Sequence, residues 1–230
     1  MKARNTGIPA AQCLPDPLPS NPLVIAEQWL AEAQSDADVP NPNAMVLATV
    51  DSAGQPSARV VLCKSILPDP GAITFFTNYQ SRKGQELVAN PRAAAVFHWD
   101  HRHRQVRIEG SVQRLDSAES EAYFRTRHWL SRLGAWASMQ SAPLPRGRTV
   151  AQLVTEAAQR FGVPYAGPGT PEPAIVDVDI PKPPYWGGYS LQAVSVELWV
   201  EGAFRIHDRA RWTRPAAAGS GEWSGQRLQP

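Results

Sequence analysis

The chain of 230 residues has little cysteine and almost no excess of charge. Its two cysteines, Cys13 and Cys63, match neither a disulfide framework nor a zinc-ligand pattern, so we expect a reducing compartment and predict the cytoplasm. Lysine and arginine number 23 against 21 acidic residues, and a net charge of +2 gives no reason to expect nucleic acid as a partner. No stretch approaches about 18 consecutive apolar residues, and the N-terminus has no apolar signal segment, which disfavours a membrane span and secretion.

The chain also lacks the short motifs that identify several large enzyme classes. There is no glycine-rich dinucleotide fingerprint, no P-loop and no Gly-x-Ser-x-Gly nucleophile motif. The segment HWDHRHR gathers histidines around one aspartate, but it has the character of a polar hairpin tip, and the sequence contains no second ligand cluster. The sequence therefore predicts no metal site.

The hydrophobic content is 43% with eight tryptophans, which is enough for a sizeable core. Residues 1–20, rich in proline, predict a flexible leader, and residues 21–230 predict a single domain with a proline-rich loop at about 163–184. Alternating apolar positions predict strands at 44–50, 57–66, 72–78, 93–99, 104–115, 195–202 and 204–212. Helical spacing predicts helices from Pro22 to about Ser35, within 81–90, from Asp116 onward and over 149–162.

These elements predict the fold class. The segments 195–202 and 204–212 have the character of a closing hairpin, and Asp116 with Glu119 resembles a capping box at a helix start. Six or so strands with short connections favour a mainly β protein with α-helices, of the α+β class. We expect an antiparallel barrel with helices on its outside.

The segment FRIHDR, residues 204–209, contains the first candidate site. Arg205, His207 and Arg209 alternate with Ile206 and Asp208, and a strand would place all three on one face. Like charges side by side are unfavourable, so either solvent and nearby carboxylates compensate them or an anion lies opposite. In the preceding strand, Trp199 has the parity of the same face, unless a turn or bulge at Gly202 breaks the count.

Two further segments contain side chains that could bind an anion. Ser81 as an N-cap would place Arg82 and Lys83 in a first helical turn, where a bound phosphate would explain cations that otherwise oppose the helix dipole. The alternative is a solvated helix start.

Tyr123, Arg127 and Ser131 stand at i, i+4 and i+8, so a helix would place them on one stripe. Their donors suit a phosphorylated ligand, and the alternative is an ordinary amphipathic surface helix. Arg59 and Lys64 differ in parity, so a regular strand would send them to opposite faces.

Segments that follow one another along the chain resemble the pyridoxamine 5′-phosphate oxidase family. They are PNAMVLATVDSAGQP, RVVLCK, FFTNYQSRKGQEL, RQVRIEG, YFRTR, GAWASMQS, WGGY, VELW, RIHDR and the terminal RLQP. The resemblance is collinear from about Pro42 to Pro230, apart from one loop. It implies a homodimer of split-barrel subunits, each with an active site that holds FMN at the dimer interface.

The resemblance also implies a reaction and its residues. The expected reaction oxidises pyridoxamine or pyridoxine 5′-phosphate to pyridoxal 5′-phosphate with oxygen as acceptor, releasing hydrogen peroxide, and ammonia from the amine. Lys64, Tyr123, Arg127 and Ser131 match positions that hold the substrate phosphate, while Arg205 and His207 match those that face the pyridine ring and are the expected catalytic pair. The positions expected to surround FMN are Arg59, Val60, Val61, Leu62, Cys63, Lys64, Phe76, Thr77, Arg82, Lys83, Gln105, Gln140, Ser141, Trp199 and Arg209.

The chain departs from the family pattern in three places, which leaves other functions open. The leader lacks an Arg-x-x-Tyr-type segment, His128, Trp129 and Leu130 replace a more usual Pro-Arg-containing stretch, and the proline-rich loop is longer than usual. One alternative is a related FMN oxidase of secondary metabolism, of the phenazine-biosynthesis type, that acts on another aromatic substrate. A second is a split-barrel protein that binds flavin or haem without turnover.

Overall fold

The computed structural model describes residues 13–165, 167, 169–171, 178–215 and 221–230. The chain divides into two compact units. The barrel unit comprises the described residues of Met1–Phe75, Ala89–Gln113 and Ser190–Pro230, and the helical unit comprises those of Phe76–Val88 and Arg114–Tyr189. The single domain over residues 21–230 stays a prediction. Within the described residues, no helix is long and apolar enough to cross a membrane.

The strands form an antiparallel sheet that closes into a barrel. The strands are β1 Ala44–Val50, β2 Pro56–Leu67, β3 Ala72–Asn78, β4 Arg92–Trp99, β5 Arg104–Arg114, β6 Trp186–Val200, β7 Asp208–Thr213 and β8 Ser224–Leu228. Their order is β3-β2-β1-β4-β5-β6-β7-β8, and β3 also pairs with β6. The first six strands therefore form a closed barrel, and β7 and β8 extend the sheet beyond it. The predicted fold class is confirmed.

Five α-helices accompany the barrel among the described residues. They are α1 Pro22–Gln34, α2 Arg82–Ala89, α3 Ser117–Thr126, α4 Trp129–Ala137 and α5 Val150–Arg160. Asn21 caps α1, its side chain accepting a hydrogen bond from Leu23 N, as its position before Pro22 predicts. Thr149 begins α5 with a capping box.

Alternation along β1 and β2 shows how the sequence specifies the barrel wall. Met45 and Leu47 of β1 are fully buried, while Val46 between them is exposed. Val46 pairs with Val60 of β2, which is 64% exposed on the same outer face. The period of two thus sends one set of side chains into the barrel core and leaves the other outside.

Several predicted elements need correction. Asp116 precedes α3, but its side chain makes no capping bond, so the capping box predicted there is wrong. The helix ends at Thr126, and Arg127 has an extended backbone, so Tyr123, Arg127 and Ser131 do not share one helical stripe. The first residues of β6, from Trp186, and the whole of β8 were not predicted as strands.

The end of the predicted leader is packed in the barrel unit. Leu14 is buried, and its N–H donates to Asp208 Oδ2 at 2.8 Å. Arg227 of β8 donates to Asp208 Oδ1 at 2.7 Å and to the carbonyl of Pro15 at 3.0 Å. The last part of the predicted leader thus makes contacts in the barrel unit, and residues 1–12 lie outside the described part of the chain, so the flexible leader over residues 1–20 stays a prediction.

A separate small core stabilises the helical unit. It joins α4 and α5 to the segment that follows them, through the buried side chains of Trp129, Leu133, Ala157, Ala158, Val163, Tyr165 and Ile180. His128 begins α4, its Nδ1 accepting from Leu130 N at 3.4 Å. The departure His128-Trp129-Leu130 thus supplies a helix cap and a core residue. The described residues of the proline-rich loop form no helix or strand, and 166, 168 and 172–177 lie outside the description.

Candidate functional site

Three side chains expected at the site meet beside the β6–β7 hairpin of the barrel unit. Trp199 of β6 is paired directly with Arg209 of β7, so both side chains lie on one face of the sheet. The ring of His207 lies 4.6 Å from the ring of Trp199, centroid to centroid. The hairpin therefore brings together Trp199, His207 and Arg209, as their parity predicts for Trp199 and Arg209.

The expectation that Arg205, His207 and Arg209 alternate along one strand is wrong. Strand β7 begins at Asp208, and residues 203–205 form a short 3-10 turn. Phe204 and Arg205 have positive φ angles of 55° and 67°, a backbone region that non-glycine residues seldom adopt. This turn reverses the chain after β6 and leaves the Arg205 side chain exposed.

The hairpin loop also determines which nitrogen of His207 carries a proton when the ring is neutral. The N–H of Gly202 donates to His207 Nδ1 at 3.1 Å. Since Nδ1 accepts, the proton of the neutral imidazole lies on Nε2, which is then a donor. A Cβ atom at position 202 would lie 1.5 Å from the carbonyl oxygen of Ile206, so the loop requires glycine there.

A buried carboxylate that the sequence analysis did not identify holds Arg209. Glu197 Oε1 accepts from Arg209 Nη2 at 2.8 Å and from Nε at 3.1 Å, while Oε2 accepts from Arg107 Nη1 at 3.3 Å. A third donor of Arg209, Nη1, bonds the carbonyl of Gln229 at 3.2 Å. The available signal was the parity of Glu197, two residues before Trp199 on the face that carries Arg209.

The β2 residues expected around FMN divide between the two faces of the strand. The Arg59 side chain lies against the neighbouring strand β1, where its Nη1 donates to Leu47 O at 3.1 Å. The register of β2 against β3 shifts between Cys63 and Ser65, which places Lys64 in a β-bulge. Because side chains alternate between faces only along a regular strand, this bulge removes the expectation that Arg59 and Lys64 lie on opposite faces.

The other residues of the expected FMN set in the barrel unit differ in how far they are buried. Val60 and Leu62 are exposed on the outer face of the barrel, and Val61 is half-buried. Burial raises the pKa of the Cys63 thiol to about 12, although hydrogen bonds to the backbone and the charge of Lys64 act in the opposite direction. Gln105 of β5 is half-buried opposite His98 of β4.

In the helical unit, the buried ammonium group of Lys83 contacts two other residues of the expected FMN set, Thr77 and Gln140. Lys83 is 7% exposed, and its Nζ lies 2.8 Å from Gln140 Oε1, 3.1 Å from Thr77 Oγ1 and 3.2 Å from Ser81 Oγ. The hydroxyl of Ser81 also accepts from Gly84 N at 3.4 Å. The predicted N-cap is therefore confirmed, and Lys83 lies in the first turn of α2.

The other cation of this helix start faces outward. The Arg82 side chain is 60% exposed, and its Nε donates to Glu86 Oε1 at 2.8 Å. Ser141 follows Gln140 with a positive φ of 73° and is exposed. Buried Lys83 and exposed Arg82 thus present two cationic donors of different reach at one helix start.

A stack of aromatic rings in the helical unit supports Arg127. The rings of Phe76 and Tyr123 stack at 4.0 Å, and Trp186 stacks on Phe76 at 5.4 Å. The Arg127 guanidinium lies 4.7 Å from the centroid of the Trp186 ring and 5.5 Å from that of Phe124. Tyr123 and Arg127 therefore share a site through Trp186. No role was predicted for Trp186, although it opens WGGY, one of the segments that carry the resemblance.

The environment of Arg127 suits an anionic ligand. Burial lowers the pKa of the guanidinium, against the opposing effect of Tyr123. Its Nη1 is buried and has no hydrogen-bond partner among the described residues. Such a donor gains most from an anionic acceptor. Ser131, the last member of the expected phosphate set, is exposed on α4.

Two histidines at the tip of the β4–β5 hairpin contact carboxylates of other segments. His101 Nε2 lies 2.9 Å from Asp36 Oδ2, and His103 Nδ1 lies 2.5 Å from Glu201 Oε2. The two histidines thus contact different carboxylates. Among the described residues, no group of three histidine, cysteine or acidic side chains could hold a metal ion.

Comparison with known proteins identifies the family. The model described as pyridoxamine 5′-phosphate oxidase matches residues 31–161, and the model of the pyridoxine 5′-phosphate oxidase C-terminal dimerisation region matches residues 186–230. Relatives named pyridoxine/pyridoxamine 5′-phosphate oxidase, from Burkholderia thailandensis and Cupriavidus taiwanensis, are each 45% identical over 210 residues. Each alignment covers 91% of this chain and 89% of the relative.

Solved structures agree with the fold. The crystal structure of PhzG from Burkholderia lata 383 in complex with tetrahydrophenazine-1-carboxylic acid is similar with a TM-score of 0.78 and 29% identity, covering 94% of this chain and 95% of that one. A pyridoxamine 5′-phosphate oxidase-related, FMN binding protein from Nostoc punctiforme shares the fold with a TM-score of 0.65 at 19% identity, covering 90% and 96%. From its barrel topology and from the family matches along its length, the chain belongs to the pyridoxamine 5′-phosphate oxidase family of oxidoreductases.

Proposed function

We propose that this chain is an FMN-dependent oxidase that converts pyridoxamine 5′-phosphate or pyridoxine 5′-phosphate to pyridoxal 5′-phosphate. The observation that carries the proposal is the guanidinium of Arg127, stacked on Trp186 beside Tyr123 with a buried donor that meets no acceptor among the described residues. A phosphate monoester supplies the anionic acceptor that this donor favours. The names of the relatives at 45% identity support the same substrates.

The cofactor is FMN, and the residues present suit it. The helix start of α2 offers the buried ammonium of Lys83 and the exposed guanidinium of Arg82, which fits a phosphate group. Trp199 and Arg209 offer an aromatic surface and a cation on one sheet face, which fits the ring system of a flavin. When bound, FMN supplies a two-electron acceptor for the substrate carbon that bears the amine or the hydroxyl.

The substrate residues divide into two sets by chemistry. Lys64, Tyr123, Arg127 and Ser131 hold the phosphate, while Arg205 and His207 face the pyridine ring. Because neutral His207 carries its proton on Nε2, it donates a hydrogen bond from that atom and has no lone pair there for proton abstraction. His207 therefore orients the substrate, and Arg205 adds a positive charge that favours negative charge developing during the reaction.

The overall reaction balances with oxygen as the final electron acceptor. The amine substrate consumes oxygen and water and gives the aldehyde, ammonia and hydrogen peroxide. The alcohol substrate consumes oxygen and gives the aldehyde and hydrogen peroxide. In both cases the substrate carbon loses a hydride and its heteroatom loses a proton.

The active protein is a homodimer with a site at its interface. The match of residues 186–230 to the dimerisation region supports this assembly. A row of apolar side chains on the outer face of the barrel unit also supports it, since Val46, Val60 and Leu62 are each at least 39% exposed. Val60→Asp should therefore shift the protein towards monomer in analytical ultracentrifugation and weaken FMN binding. A dimer that persists in this variant would contradict the placement of the interface.

A second candidate is an oxidase of the phenazine-biosynthesis type. The similarity to PhzG, with a TM-score of 0.78, favours it. The two candidates differ in whether the substrate carries a phosphate. A phenazine precursor has no phosphate for the Lys64, Tyr123, Arg127 and Ser131 set to hold, so the vitamin B6 substrates use more of the residues present.

The test is aerobic turnover by purified, FMN-loaded protein. Pyridoxine 5′-phosphate and pyridoxamine 5′-phosphate should each give an aldehyde that absorbs in the near ultraviolet, together with hydrogen peroxide. Arg127→Ala should lose most of this activity. The matched control is Arg125→Ala, because Arg125 lies two residues away with its side chain 73% exposed. No aldehyde from a yellow, dimeric, fully loaded protein would refute the assignment, and oxidation of tetrahydrophenazine-1-carboxylic acid would then support the second candidate.

A further inference from the structure

We propose that Glu197 is a positioning residue that holds the Arg209 guanidinium in the orientation that contacts FMN. The inference rests on the proposed contact between Arg209 and FMN. It adds a residue that lies outside the set expected from the family resemblance. All of the residues that carry it belong to the barrel unit.

The contacts of Glu197 fix the plane of the arginine. The side chain of Glu197 is 8% exposed, and one of its oxygens receives both the Nε and the Nη2 donors of Arg209. Gln229 O receives the third donor, Nη1, from the opposite edge. A guanidinium held at three of its nitrogens has lost most of its rotational freedom before any ligand binds, so FMN need not order it.

Arg107 is the second cation on Glu197, and its other partner provides a control. Arg107 Nη1 lies 3.3 Å from Glu197 Oε2, while its Nη2 lies 3.0 Å from Glu109 Oε1. Glu109 therefore touches the same arginine as Glu197 in a half-exposed setting, and none of its observed bonds reaches Arg209. Glu109→Gln and Glu197→Gln remove the same charge, but only the second weakens the support of Arg209, because the glutamine oxygen accepts its bonds without a negative charge.

Positioning and simple electrostatics predict opposite signs for FMN affinity. Loss of a negative charge in the site would by itself strengthen the binding of an anionic cofactor. Weaker bonds to Arg209 would lower the FMN affinity, because FMN must then bind a more mobile guanidinium. For Glu197→Gln we expect a rise in the FMN dissociation constant on the order of tenfold.

The experiment is a titration of apoprotein with FMN, followed by quenching of flavin fluorescence, for the wild type, Glu197→Gln, Glu109→Gln and Arg209→Ala. We expect weaker binding in Glu197→Gln and Arg209→Ala and wild-type affinity in Glu109→Gln. The midpoint potential of the bound flavin, measured with FMN in excess, should fall in Glu197→Gln, because a mobile Arg209 stabilises the negative charge of reduced flavin less well. Loss of the Glu197 charge without any loss of positioning would raise this potential instead.

Each alternative result overturns a different step. Unchanged or tighter FMN binding in Glu197→Gln, with weaker binding in Arg209→Ala, would refute positioning and leave the proposed function intact. Unchanged binding in Arg209→Ala would refute the contact on which the inference rests. Should the glutamine variant not fold, Glu197→Asp gives the same decision, because it keeps the charge while its shorter side chain loses reach to Arg209.

Discussion

The contacts of Arg127 predict the size of the loss in kcat/KM for one substitution. In Arg127→Lys the positive charge remains, but the planar guanidinium over Trp186 and its fork of donors are lost. A partly desolvated cation–π contact contributes about 0.5–2 kcal/mol, and the second bond of a bidentate phosphate contact contributes about 1.5 kcal/mol. We therefore expect a loss of about 2–3.5 kcal/mol in transition-state binding, which is on the order of 30- to 400-fold in kcat/KM.

The assay separates a phosphate contact from a structural effect. Steady-state kinetics should be measured with pyridoxine 5′-phosphate and with unphosphorylated pyridoxine, on Arg127→Lys and on Arg125→Lys. The loss in kcat/KM should occur only for the phosphorylated substrate and only in Arg127→Lys, since Arg125 is exposed and pairs with Glu121. An equal loss for both substrates, or wild-type kinetics with the phosphate ester, would refute the assignment of Arg127 to the phosphate.

Three further predictions concern stability and reactivity. Burial raises the pKa of Glu32, but hydrogen bonds and the charges of two arginines outweigh it and hold the pKa below its usual value. In urea unfolding, the stability lost in Glu32→Gln should thus be largest near neutral pH and vanish as the pH falls through that lowered pKa. A thiol reagent at about pH 8 should label the exposed Cys13 of the folded protein. It should label Cys63 only after unfolding, because that thiol is buried and has a pKa of about 12. Labelling of folded Cys13→Ser would contradict this. Arg214 donates to three backbone carbonyls, and its guanidinium stacks on Trp223. Arg214→Ala should therefore lower the free energy of unfolding by about 3 kcal/mol, and a loss under about 1 kcal/mol would contradict this structural role.

Local sequence was sufficient for the elements that depend on neighbouring residues. Strands β1 and β3 begin and end at the predicted residues, because alternation along a strand and the turns that bound it are short-range features. Helix α1 follows from Asn21 as its cap and Pro22 in its first turn. The Ser81 cap, which places Lys83 in the first turn of α2, follows from the same kind of local pattern.

Long-range contacts explain what the sequence analysis missed. The spacing of Tyr123 and Arg127 predicts a shared helical face, yet α3 ends between them, and Trp186 joins them by stacking. The start of β6, where Trp186 lies, follows a proline-rich loop and lacks a clear alternating pattern, so its pairing depends on the closed barrel. A packing partner that is distant along the chain leaves no periodic signal in the sequence.

The sequence was sufficient to predict the antiparallel barrel class and the family, and it named the residues expected at the site. Only the tertiary structure decided that Arg205 leaves the strand while Arg209 remains in it, because the turn after Gly202 interrupts the count of alternate faces. Only the register of β6 against β7 and the approach of β5 place Glu197 between Arg107 and Arg209. Parity along one strand is a local property, whereas the partners of a buried charge are set by how the strands meet.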